Sequence, residues 1–153
     1  MGLFKKTTKP SQQAYAVVTG AGSGIGQSFA LALGKRGGTV VCADINLAAA
    51  EKTVALLAEH GAKAYAVACD VGKAEQVADL AEQAEQLMQH PVTLVINNAG
   101  VGLGGKFDEL SLEDWQWVTH VNLWGVIHGC HFFVPKFKKL GHGAIINVAS
   151  AAG

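Results

Sequence analysis

Five short, almost unbroken apolar runs alternate along this chain with longer segments of helical spacing, and no other feature restricts the fold as strongly. The runs are AYAVVTG (14–20), TVVCAD (39–44), KAYAVACD (63–70), VTLVINN (92–98) and AIINVAS (144–150). Such continuous hydrophobicity marks strands covered on both faces, as those of parallel sheets are. Between them GIGQSFALALGKRG (24–37), NLAAAEKTVALLAEHG (46–61) and GKAEQVADLAEQAEQLMQ (72–89) space their apolar residues as helices do. The first two end near glycine. SLEDWQWVTHVNLWGVIHGCHFFVPKF (111–137) reads as one longer helix, opened by Ser111 and an acidic first turn. Strand and helix in alternation call for right-handed crossovers. The predicted fold is α/β, a Rossmann-type doubly wound parallel sheet, truncated after the fifth strand.

A chain of 153 residues holds one core of useful size. Half of its residues are hydrophobic, 16% are charged and 19 are glycine, which suits a compact α/β domain and not disorder or a coiled coil. The expected division is a flexible polar tail over 1–13 and a Rossmann domain over 14–153. Basic and acidic residues balance at 12 each, so no net field draws the chain to nucleic acid or membrane. Lys5, Lys6 and Lys9 read as a solvated tail, and Lys136, Lys138 and Lys139 as a helix end. Cys42, Cys69 and Cys130 sit in apolar runs without close pairing, as buried reduced thiols of a cytoplasmic protein do. No apolar stretch reaches the roughly 18 residues that span a bilayer. The Met1-Gly2 opening carries Lys6 where a myristoylation signal wants serine or threonine.

In an open α/β sheet, ligands sit beyond the carboxyl ends of the strands, where strand order reverses. The loops after the first and fourth runs should therefore share a crevice. TGAGSGIG (19–26) follows the first run, and its glycines let backbone turn sharply and approach a phosphate, with a helix N-terminus behind. The residues expected against a cofactor here are Gly20, Ser23, Gly24, Ile25 and Gly26. A flexible turn without a ligand is the bland alternative. Asp44 closes the second run, 18 residues past Gly26, where a carboxylate accepts bonds from ribose hydroxyls and repels a 2′-phosphate. That favours NAD over NADP; the alternative is a cap for the helix near Leu47, which Asn46 would serve equally. Asp70, with Val71 beside it, meets an adenine edge or caps the next helix.

TGAGSGIG, CDV (69–71), NNAG (97–100), the asparagine of HVNLWG (120–125) and GAIINVAS (143–150) resemble, in order and spacing, the classical short-chain dehydrogenase/reductase family. The likeness runs from about Ala14 to the last residue. It implies hydride transfer between a nicotinamide ring and an alcohol or carbonyl carbon, with a small-molecule alcohol or ketone as substrate. A tyrosine assisted by a lysine would move the proton, a serine would bind the substrate oxygen, and an asparagine would help hold a water. Ser150 matches that serine and Asn122 that asparagine, while Asn98 and Gly100 would line the cofactor. The resemblance further implies a homodimer or homotetramer through the long helix. The Tyr-x-x-x-Lys pair is not in the chain, whose tyrosines are Tyr15 and Tyr65. These 153 residues alone are therefore expected to be inactive, and their exposed fifth strand to favour aggregation. A non-catalytic nucleotide-binding module is the alternative.

Other eye-catching residues carry less. HGCH (128–131) has metal-like spacing but no second ligand cluster, so no metal is expected and packing is favoured. Trp115, Trp117 and Trp124 read as core or interface anchors, and His60, His90, His120 and His142 are assigned no role. Around Ser150 the order Val-Ala-Ser-Ala-Ala-Gly does not make a Gly-x-Ser-x-Gly nucleophile elbow.

Overall fold

The computed structural model describes residues 9–150. The Met1-Gly2 opening, Lys5, Lys6 and most of the expected tail lie outside the described residues, as do residues 151–153. Along the chain run β1 (Tyr15–Thr19), α1 (Gly24–Lys35), β2 (Thr39–Asp44), α2 (Leu47–Glu59), β3 (Ala64–Ala68), α3 (Ala74–Met88) and β4 (Leu94–Asn97). Then follow α4 (Leu112–Thr119), a π-helical turn (His120–Trp124), α5 (Gly125–Leu140) and β5 (Ala144–Asn147). The strands form one sheet in the order β3-β2-β1-β4-β5, every pairing parallel. This is the Rossmann-type doubly wound arrangement. Every strand but β2 is shorter than its apolar run, because the flanking residues leave the ladder to form loops.

Two apolar layers hold the sheet. On one face Val17, Val41 and Val95 meet Leu80, Ala84 and Met88 of α3 and Phe133 and Phe137 of α5. On the other, Val18, Val40, Cys42 and Ile96 meet Ala30 and Leu33 of α1 and Ala50 and Leu57 of α2. A fully buried leucine, valine or phenylalanine contributes about 1.5–3 kcal/mol through lost apolar exposure. Buried positions in α5 fall every fourth residue at Gly125, Gly129, Phe133 and Phe137. Gly129 is glycine because the Asn97 side-chain oxygen occupies the place a Cβ would take. Lys136 of α5 reaches Glu82 and Glu85 of α3 at 2.7 and 2.9 Å, tying the two helices together.

Local chemistry accounts for the element ends. Asn46 caps α2, accepting the Ala49 N–H at 3.1 Å. Ser111 and Asp114 form a reciprocal capping box on α4 at 3.1 and 3.0 Å. Gly141 ends α5 in the left-handed region at φ +85°. The single helix expected over 111–137 is interrupted: the Gly125 N–H donates to the His120 carbonyl, a five-residue closure that winds 120–124 as a π turn. No residue of α4 is buried, and Trp115, Trp117 and Trp124 are all exposed rather than in the core.

Candidate functional site

The strand order reverses between β1 and β4, so the chain leaves these neighbours in opposite directions and opens a crevice at their carboxyl ends. A buried threonine closes its floor. Thr19 Oγ1 accepts the Asn98 and Ala99 N–H groups, both at 3.0 Å, and the Asn98 amide donates back to the Thr19 carbonyl at 3.0 Å. The loops after β1 and β4 are thus bolted together, although nearly eighty residues separate them. Above this seam lies a cavity of about 670 Å³.

The glycine loop is shaped by lack of room below and open space above. Gly20 has φ +64°, and a Cβ there would stand 2.9 Å from the Ala99 Cα. A Cβ on Gly26 would run into the Gly20 carbonyl oxygen. Gly24, at φ +53°, would meet nothing within 4 Å. Helix α1 starts here with no side-chain cap from Ser23 and no acidic residue in its first turn. Its N–H groups and positive dipole end are therefore open to an anion.

Two carboxylates stand along the same cavity. Asp44 accepts the Gly22 N–H at 2.8 Å and the Asn46 N–H at 2.9 Å, one on each oxygen. It does not cap α2, since Asn46 does. Asp70 accepts the Gly72 N–H at 3.0 Å, and its own N–H donates to Gln76 Oε1 at 2.8 Å. It does not cap α3 either, whose N-cap is Lys73 without a side-chain bond. Cys69, just before it, is buried, and desolvation followed by the Asp70 charge pushes its thiol up to about 12.

All the residues expected against a cofactor border this cavity: the loop residues from Gly20 to Gly26 named above, Asp44, Asp70, Val71, Asn98 and Gly100. Asn122 and Ser150 are not among its lining residues. Asn122, in the π turn, clamps the loop after β4, accepting the Val101 N–H at 2.8 Å and donating to the Val101 carbonyl at 2.9 Å. Ser150 is exposed, three residues beyond β5. Sequence reasoning missed Lys73, Trp117, His120 and Val121, which also line the cavity. Trp117 and Val121 lie four residues apart, immediately before Asn122; that spacing is the signal that could have found them. His128, expected to serve packing, brings its Nδ1 within 2.8 Å of the Val71 carbonyl oxygen. Among the described residues no three His, Cys, Asp or Glu side chains are grouped to hold a metal, and no helix is long and apolar enough to cross a membrane.

Comparison with known proteins gives a consistent set of relatives. The family described as short chain dehydrogenase matches residues 14–153. A cyclohexanol dehydrogenase of Acinetobacter sp. strain SE19 is 42% identical over 139 residues, covering 90% of this chain and 55% of the relative. A short chain dehydrogenase/reductase from Burkholderia phymatum, solved in complex with NAD, superposes with a TM-score of 0.89 at 40% identity, covering 95% of this chain and 52% of that one. A metagenomic short-chain oxidoreductase in complex with NADP superposes at 0.86 and 29% identity, covering 94% and 65%. The chain thus spans about half the length of the first two.

Proposed function

Because this chain belongs to the short-chain dehydrogenase family, we propose that it is the cofactor-binding part of an oxidoreductase moving hydride between NAD(H) and a small alcohol or ketone. The observation that carries the proposal is the single cavity bordered by the glycine loop, Asp44 and Asp70. The residues fit a dinucleotide. The open helix end behind Gly24 suits a pyrophosphate, the Asp44 carboxylate suits ribose hydroxyls, and the Asp70–Val71 turn suits an adenine edge. When bound, the nicotinamide ring supplies the hydride chemistry.

The chain's own residues bind and orient. Asp44 keeps lone pairs for ribose after accepting two backbone N–H groups, and its charge opposes a 2′-phosphate; this supports NAD over NADP. Asn122 fixes the loop through Val101 and helps order water near the reacting carbon, while Ser150 receives the substrate oxygen. Neither tyrosine is placed to act as proton donor. Tyr15 stacks on His90 with ring centroids 3.6 Å apart, and Tyr65 lies under the Lys63 amine in β3. The donor is accordingly assigned to a segment outside these 153 residues, which by themselves would bind cofactor without turnover. Exposed Leu123, Trp124 and Ile127 support a homodimer or homotetramer contact along the π turn and α5. Buried free thiols at Cys42 and Cys69 support a reducing, cytoplasmic setting.

The test is a titration of the full-length protein with NAD and NADP, followed by alcohol-dependent reduction. NAD should bind at least about tenfold more tightly, the range one lost charge contact allows. Preference for NADP would overturn the Asp44 reading, and uptake of neither would overturn the cofactor reading. Binding without turnover of any alcohol or ketone would instead favour the second reading, a nucleotide-binding module, to which the placement of Tyr15 and Tyr65 already lends weight.

A further inference from the structure

We infer that His128 is a positioning residue for the adenine end of the cavity, acting through the Val71 carbonyl. The inference rests on the dinucleotide reading above and names a residue that reading does not use. Its starting point is the turn Asp70-Val71-Gly72, which forms one wall of the cavity. Three bonds shape the turn from within or from α3: Asp70 to the Gly72 N–H, Gln76 to the Asp70 N–H, and the Lys73 N–H to the Asp70 carbonyl at 3.0 Å. None of them fixes the turn against the rest of the sheet.

Helix α5 does that. A Cβ on Gly125 would stand 2.7 Å from Val71 Cγ2, so the helix backbone presses directly on the valine. One turn later the His128 ring donates from Nδ1 to the Val71 carbonyl at 2.8 Å. Trp124 stands against the ring, centroids 5.8 Å apart. Val71 is buried in the core, while its N–H takes part in none of the bonds described. The grip holds the carbonyl side of the peptide chain inward and leaves the amide side for a ligand. His128 touches neither the cavity nor any reacting atom; its effect reaches the cavity only by setting where the Val71 backbone and the Asp70 carboxylate stand.

The experiment uses the full-length protein with three probes: NAD, AMP and nicotinamide mononucleotide. His128→Ala should weaken NAD and AMP by the same factor, about tenfold as the loss of one hydrogen bond allows. Nicotinamide mononucleotide should be unchanged. His128→Asn, whose amide N–H can reach the same carbonyl, should bring AMP back to within about twofold of wild type. Melting temperatures are measured alongside, with His131→Ala as a control from the exposed side of the same helix. Equal AMP affinity in wild type and His128→Ala overturns the inference alone. So does a loss shared equally by AMP and nicotinamide mononucleotide, or one that His128→Asn does not restore although it restores the melting temperature. Wild-type protein that takes up neither NAD nor AMP overturns the dinucleotide reading and this inference with it.

Discussion

The seam between β1 and β4 and the edge at β5 are built on opposite terms. At the seam, the backbone comes so close that side chains are excluded, and Thr19 and Asn98 use their polar atoms across the gap. At the edge, β5 has no buried residue, Ile146 is 44% exposed, and the loop from 102 to 105 has glycines that a side chain could join freely at 102 and 104. The first region is rigid because nothing more fits. The second is held by the backbone ladder of β5 on β4, with side-chain ties added by the Asn122 clamp on Val101 and the pairing of Asn97 with Asn147 at 2.8 Å. A binding cradle needs the first kind of construction, since preorganised backbone loses little freedom when a ligand arrives.

Substitutions can break this contrast. The largest effect is expected from Gly26→Val in the full-length protein: the side chain must displace the Gly20 carbonyl, costing about 3 kcal/mol in urea unfolding and abolishing NAD uptake. Wild-type stability in that variant would refute the close-approach account. Thr19→Val comes next. It strands the Asn98 and Ala99 N–H groups and should cost about 2 kcal/mol, read from the same denaturation curves.

The cysteines sharpen the comparison by reactivity. Burial pushes the Cys42 thiol up to about 12, as burial and then Asp70 do for Cys69, while Cys130 is only partly buried. An alkylating agent at pH 8 should therefore modify Cys130 first, with Cys42 and Cys69 reacting only on unfolding; mass spectrometry of the labelled peptides decides. The sign for stability follows. The folded state holds these protons to higher pH than the unfolded chain, so the contribution is complete below about pH 9 and is lost as pH rises toward 12. Rising stability across that window would contradict the assignment. The smallest effect is expected at Gly102→Ala, within about 0.5 kcal/mol of wild type, because nothing lies near the added methyl.

The glycine-loop side of the seam was legible in the chain because its determinants are local. The apolar runs mark the strands, and TGAGSGIG states the turn and the helix start within eight letters. Asp44 and Asp70 could be placed at strand ends, but which residue caps each helix the sequence left open: Asn46 takes the α2 cap, and α3 starts at Lys73 with no side-chain cap. The Thr19–Asn98 contact joins residues nearly eighty positions apart, and neither has a periodicity that reveals the other. Trp117 and His120 were hidden for another reason. A uniform helix over 111–137 assigns one continuous face to the sheet, and the π turn invalidates that assignment midway.

That turn also works as a phase shifter. Each residue in an α-helix advances the side chain by about 100°, so a surplus residue wound into a wider turn resets the direction faced by everything after it. Trp117, ahead of the turn, and Val121, within it, line the cavity, and Val121 also packs on the core; beyond the turn Gly125, Gly129, Phe133 and Phe137 are buried along α5. The segment 120–124 is therefore constrained in count as well as in kind. Exchanging Asn122 would release the Val101 clamp alone, whereas removing one residue would turn Gly125 off Val71 and Gly129 off Asn97 together. Length, here, is the information.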